Sequence, residues 1–99
     1  MIFIYITVKN EGEAKTISEQ LLKKKLIACA NFHPIRSMYE YEGKLVNDRE
    51  VVLLLKTEDE KYDKIVKEVE SMHSYDTPCV VKIPVSSNSS YLEWKHAQL

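Results

Sequence analysis

Residues 2–8 read IFIYITV and residues 50–57 read EVVLLLKT, and these two runs decide the fold. Both are dense in β-branched and aliphatic side chains, as strands buried inside a sheet are. In the first, Ile2, Ile4 and Ile6 share one face while Phe3, Tyr5 and Thr7 share the other, so both faces are expected to be covered and the strand to be central.

Between the two runs lie a helix and a hairpin. Asn10 with Glu13 three residues on reads as an N-cap and its reciprocal partner, and Ala14, Ile17, Leu21 and Leu22 recur at helical spacing. Lys23, Lys24 and Lys25 close that helix where positive charge suits its C-terminus, which explains the run without a nucleic-acid patch. Ala28 to Tyr41 reads as a long strand with Ile35, Ser37, Tyr39 and Tyr41 on one face and Arg36, Met38 and Glu40 on the other. Pro34 inside it requires an edge or a bulge. Glu42, Gly43 and Lys44 supply a turn, and Leu45 and Val46 begin the return strand. Asn47, Asp48 and Arg49 are expected to interrupt that strand, so that the hairpin tip extends past the core and bends there.

Beyond the second run, Thr57 and Glu60 read as a capping box that opens a helix at once, with Tyr62, Ile65, Val66, Val69 and Met72 as its buried stripe. His73 to Pro78 is a loop, and Cys79 to Val85 is a short strand in which Pro84 suits an edge. Ser86 to Ser90 is a polar linker that can cap a last helix over Tyr91 to Leu99. The order β-α-β-β-α-β with an added C-terminal helix is the ferredoxin-like pattern of an α+β fold, with residues 1–99 as one domain. Strands one and three are then expected to be central, adjacent and parallel. Right-handed crossovers place both helices on one side of the sheet, so something else must cover the opposite side.

Composition narrows function. Against 15 Asp plus Glu stand 14 Lys plus Arg, for a net charge of -1, which removes the basic surplus of a nucleic-acid binder. Gly12 and Gly43 are the only glycines, too few for a phosphate-cradling loop. No apolar run approaches the roughly 20 residues that span a bilayer, and the opening MIFIYITVKN lacks a basic signal-peptide start. Cys29 and Cys79 lack paired spacing, so free thiols in the cytoplasm are expected.

Candidate chemistry is sparse. Cys29 and His33 lie on one side of a strand but about 13 Å apart along it, too far to chelate one ion. His73 closes a helix, where an imidazole suits the dipole, beside Tyr75, Asp76 and Pro78. No nucleophile triad can be placed from spacing, and no enzymatic activity is expected. The second run, the third strand in order, carries aliphatic residues where an RNA-recognition motif needs aromatics. The segment Val8 to Ala14 holds one glycine among acidic residues, which is unsuited to an acylphosphatase-like anion loop.

Several blocks share a single likeness: LIACAN at Leu26 to Asn31; Ser37, Tyr39, Glu42, Gly43 and Lys44; the run Glu50 to Thr57; the loop of His73, Tyr75 and Pro78; and Tyr91, Leu92 and Trp94. Taken together they closely resemble the CutA family of divalent-cation tolerance proteins over essentially the whole chain. The resemblance implies a tight homotrimer similar in architecture to the PII signalling proteins, with hairpins and terminal helices closing over neighbouring subunits. It also implies a link to copper or another divalent cation, with no organic cofactor. Carried over singly, Cys29 and His73 match the positions expected to hold metal, and Tyr39, Lys56, Thr57 and Tyr75 match positions lining a cleft between subunits. A PII-like regulator that binds a small ligand in that cleft is the alternative function, and a trimer that positions a protein partner is a third. Three positions depart from the family pattern: Tyr41 stands where Trp is usual, Ser74 where Pro follows the histidine, and Cys79 where Glu or Ala is common.

Overall fold

A computed structural model describes residues 1–99. Strands β1 (Ile2–Val8), β2 (Cys29–Tyr41), β3 (Lys44–Thr57) and β4 (Val80–Pro84) form one sheet in the order β2-β3-β1-β4. Helices α1 (Glu11–Lys23), α2 (Tyr62–Met72) and α3 (Ser89–Gln98) connect and follow them. The βαββαβ order and the central placing of β1 and β3 agree with the sequence reading. Their direction does not, because β1 and β3 pair antiparallel, from Ile2↔Thr57 to Val8↔Val51. The crossover through α1 returns β2 parallel to β1 but leaves a gap between them, and the hairpin then reverses the chain. The strand that fills the gap must therefore run against β1.

One face of the sheet is dry. Ile2, Ile4, Ile6 and Val8 of β1 and Val51, Leu53 and Leu55 of β3 pack against Ala14, Ile17 and Leu21 of α1 and Ile65 and Val69 of α2. Leu22, expected on the α1 stripe, is exposed. One residue along a helix is a rotation of about 100°, and the sheet already takes Leu21. On the opposite face Phe3, Tyr5 and Thr7 are half-buried, not covered as expected. There α3 covers one end, where Lys56 Nζ lies 5.5 Å from the centroid of the Tyr91 ring. Val81 and Ile83 of β4, aligned with Tyr5 and Phe3, stay 44% and 39% exposed.

Local chemistry sets the element ends. Asn10 Oδ1 accepts the Glu13 N–H at 2.9 Å, and the Glu13 carboxylate accepts the Lys9 N–H at 3.0 Å, one residue earlier than a capping box requires. At the other end of α1, Leu26 N–H donates to Leu21 O and Lys25 N–H to Leu22 O, both at 3.0 Å. This is a Schellman closure with Lys25 at φ 55° in the position glycine usually takes, and Leu26 folds back into the core beside Leu21. The hairpin turns through Glu42 at φ 51° and Gly43 at φ 76°, left-handed at both central residues as a type I′ turn demands.

Two further expectations are corrected. The ladder of β2 and β3 runs unbroken from Cys29↔Lys56 to Tyr41↔Lys44, so Asn47, Asp48 and Arg49 do not interrupt it. Their polarity reflects a ribbon exposed on both faces, which needs no bulge. Pro34 sits on the edge strand, opposite Val51. Thr57 caps no helix: it ends β3 fully buried, and its hydroxyl donates to Leu26 O at 2.6 Å. A short 3-10 turn, Asp59–Lys61, intervenes before α2. The projecting ribbon gives the chain extents of 47 × 25 × 21 Å.

Candidate functional site

The six residues singled out in the sequence fall at two ends of the sheet. At the end where β1 finishes, His73 caps α2, its N–H donating to Val69 O at 2.8 Å. Its ring is engaged at both nitrogens. Tyr75 N–H donates to His73 Nδ1 at 3.0 Å, so Nδ1 is the acceptor and Nε2, 2.8 Å from Thr7 O, carries the proton. The Tyr75 ring lies 4.7 Å away by centroids, and its hydroxyl donates to Glu50 Oε2 at 2.7 Å. Burial and the adjacent Glu50 carboxylate push the Tyr75 phenol upward, so it remains a donor. Tyr39 stands further out on the same ribbon face, its hydroxyl 3.5 Å from Asp48 Oδ2.

Glu13 ties this loop to α1. Its carboxylate accepts the Ser74 N–H at 2.9 Å as well as that of Lys9. Burial works to raise its pKa, but the bonds from Lys9 and Ser74, with His73 nearby, outweigh it and hold the carboxyl below its ordinary value.

The other end of the sheet holds Cys29, Lys56 and Thr57. Cys29 is half-buried on the open face, directly across from Lys56, and Lys56 is in turn across from Phe3. His73 reaches β1 at Thr7, four residues from Phe3, a separation of about 13 Å along the strand. One chain therefore does not bring Cys29 and His73 together. Nor does it bring Tyr39 and Tyr75 to Lys56 and Thr57, because Glu50 and Lys56 stand six residues apart on β3, about 20 Å. Lys56 does line a cavity of about 240 Å³ with Met1, Phe3, Ser86, Ser87, Asn88 and Tyr91. Thr57 is fully buried and lines nothing open to solvent.

Sequence reasoning missed a third place. Between the 3-10 turn and α3 a cavity of about 640 Å³ is lined by Met1, Glu58, Asp59, Glu60, Leu92, Glu93, Lys95 and His96. Lys95, only 3% exposed, stands 3.0 Å from Glu58 Oε1, and His96 Nδ1 contacts the same oxygen. The neighbouring Glu60 carboxyl, which takes up the proton in its place, and then the Lys95 ammonium hold the Glu58 carboxyl down at about 2. No local pattern joins Glu58 to Lys95, so only the three-dimensional fold reveals the pair.

No group of three or more His, Cys, Asp or Glu side chains is arranged to hold a metal ion. With His73 satisfied at both nitrogens and Cys29 distant, the residues of a single chain do not fit a chelating centre. No helix is long and apolar enough to cross a membrane.

Residues 2–98 match the family model described as CutA1 divalent ion tolerance protein. The chain is 43% identical over 93 residues to the divalent-cation tolerance protein CutA of Archaeoglobus fulgidus, covering 93% of this chain and 91% of that protein. It is 38% identical over 95 residues to the chloroplastic protein CutA of Arabidopsis thaliana, covering 94% of this chain and 52% of that one. Among solved structures, the periplasmic divalent cation tolerance protein CutA from Archaeoglobus fulgidus superposes with a TM-score of 0.95 at 41% identity, over 99% of this chain and 98% of that one. CutA1 from Pyrococcus horikoshii superposes with a TM-score of 0.95 at 34% identity, over 99% and 97%.

Proposed function

The chain belongs to the CutA1 divalent ion tolerance family, and from that premise we propose that it acts in divalent-cation tolerance, with copper as its chief cargo, as a homotrimer. The family match along residues 2–98 carries this reading. The relatives are named for tolerance and not for a reaction, in keeping with a protein that binds without transforming. The open face of the sheet supports assembly, since Phe3 and Tyr5 are half-buried and Val81 and Ile83 exposed on it. Cys29 lies on that same face with a free thiol, a soft donor of the kind copper prefers, and neighbouring copies would multiply it. His73 joins the ligand set only by giving up its bond to Thr7 O or to Tyr75 N–H. The two free cysteines also favour a cytoplasmic home.

Calorimetric titration with copper tests the assignment. Cys29→Ala is expected to lose the tight site, and His73→Ala to weaken it. Unchanged stoichiometry and affinity in both variants would remove these residues as ligands.

A second reading, a PII-like regulator, is favoured by the cavity beside Lys56, where an ammonium, two serine hydroxyls and Asn88 surround a space of about 240 Å³. A small anionic metabolite suits that lining. A thermal-shift screen of such metabolites should then find one that stabilises the wild type and not Lys56→Ala.

A further inference from the structure

Helix α3 is seated by a charge and not by an apolar stripe. The one residue it buries is Lys95, whose ammonium stands 3.0 Å from Glu58 Oε1, while the neighbouring Trp94 is left exposed. With Lys95 turned inward, the rotation of the helix about its axis is set. Glu93 and His96, three positions apart, then fall side by side on one helical face. Both are exposed, and both line the cavity of about 640 Å³ between α3 and the 3-10 turn.

The two ring nitrogens of His96 have different surroundings. Nδ1 contacts Glu58 Oε1 and carries the hydrogen of that contact, whereas Nε2 makes no bond and the side chain is 74% exposed. Histidines that bind metal are arranged in this way. One N–H is given to a carboxylate, which fixes the tautomer, orients the ring and makes the other nitrogen a better donor. Anchoring α3 does not call for the contact, because Lys95 already holds the same carboxylate oxygen. Glu93 has no ion-pair partner, His96 included, so its carboxylate is free beside Nε2. Glu60 lines the same cavity without a cation partner, and Asp59 is taken by Lys82 at 2.8 Å. The unpaired charge around the cavity is therefore negative. His96 also lies in the last turn of α3, where the helix dipole favours a cation.

We infer that His96 Nε2 and the Glu93 carboxylate bind a divalent cation at this cavity, with Glu58 orienting the imidazole from behind. One imidazole nitrogen and one carboxylate suit a borderline ion such as Zn²⁺ or Ni²⁺. Mg²⁺ and Ca²⁺ take oxygen donors throughout, and a soft ion prefers sulfur. No third His, Cys, Asp or Glu is arranged to join the two donors, so water completes the coordination. The site uses neither Cys29 nor His73 and stands or falls independently of them.

Zinc titration of the full chain, followed by calorimetry and by nitrogen NMR of the imidazole rings, tests this. With Zn²⁺ alone as the probe, the Nε2 resonance of His96 is expected to move while Nδ1 keeps its proton. His96→Gln and Glu93→Gln each remove a donor and should weaken this site by at least about tenfold, the loss that removal of even an orienting partner brings. Cys29→Ala should leave it unchanged. An Nε2 resonance unmoved at saturating zinc, or coordination through Nδ1, would overturn the inference. Affinity unaltered by Glu93→Gln would overturn the two-donor site. Zinc uptake abolished by Cys29→Ala or His73→Ala would overturn this site and leave the assignment of those two residues standing. The wild-type NMR result decides the matter even where a variant fails to fold.

Discussion

Tyr75 N–H meets His73 Nδ1 at 3.0 Å, and this contact fixes the imidazole proton on Nε2, against the Thr7 carbonyl. A helix end, a loop and the last turn of a central strand are thereby joined through one neutral ring. His73→Ala removes both bonds and leaves a half-buried carbonyl unpaired. We expect a loss of about 2 kcal/mol in urea denaturation of the metal-free protein.

Glu58 and Lys95 give the fold a pH dependence. The folded pKa of Glu58, about 2, lies below its ordinary value of 4.5. The folded state thus holds fewer protons in that interval, and the stabilisation is complete above about pH 4.5 and lost as pH falls toward 2. Glu58→Gln should cost about 3 kcal/mol at neutral pH by stranding the buried ammonium of Lys95. Urea midpoints followed from neutral to acid pH should fall less steeply for this variant than for the wild type.

Lys25 and Glu42 occupy left-handed backbone positions at φ 55° and 51°. Lys25→Gly and Glu42→Asn should each raise stability by about 1 kcal/mol, because each relieves a conformation that its present side chain disfavours. Thermal melts of the single and double variants should give additive gains, since the two sites share no contact.

Thr57→Val keeps the shape of a fully buried side chain and deletes its bond to Leu26 O. The carbonyl left without a partner should cost about 1–2 kcal/mol. A midpoint unchanged in urea would mean that the carbonyl finds another donor.

The parts of the fold that periodicity governs were legible. Ile2, Ile4 and Ile6 are buried, Ile65 and Val69 face the core, and Pro34 lies on an edge strand, because each follows from local geometry and side-chain chemistry. Asn10 and His73 take their cap positions for the same reason. The errors come from competition at a distance. Thr57 and Glu60 have the spacing of a capping box, but the hydroxyl finds a deeper partner in Leu26, which is remote in sequence. The direction of β3 against β1 depends on counting chain reversals and not on any residue. At the candidate site, the place of His73 was readable from the end of its helix, whereas its saturation depends on the Thr7 carbonyl, invisible in sequence. Cys29 and Lys56 were readable as residues, but their pairing across the strands was not.

The unbroken ladder from Cys29↔Lys56 to Tyr41↔Lys44 limits how this molecule can change in length. The buried half of β3 pins the register, and side chains alternate with a period of two, so a single-residue insertion in one arm would turn everything beyond it inside out or force a bulge. The ribbon can therefore grow or shrink only by whole pleats, two residues in each arm at a time. Deletions at the tip that respect this rule should leave the rest of the chain untouched, and those that break it should force a bulge or a different turn at the tip.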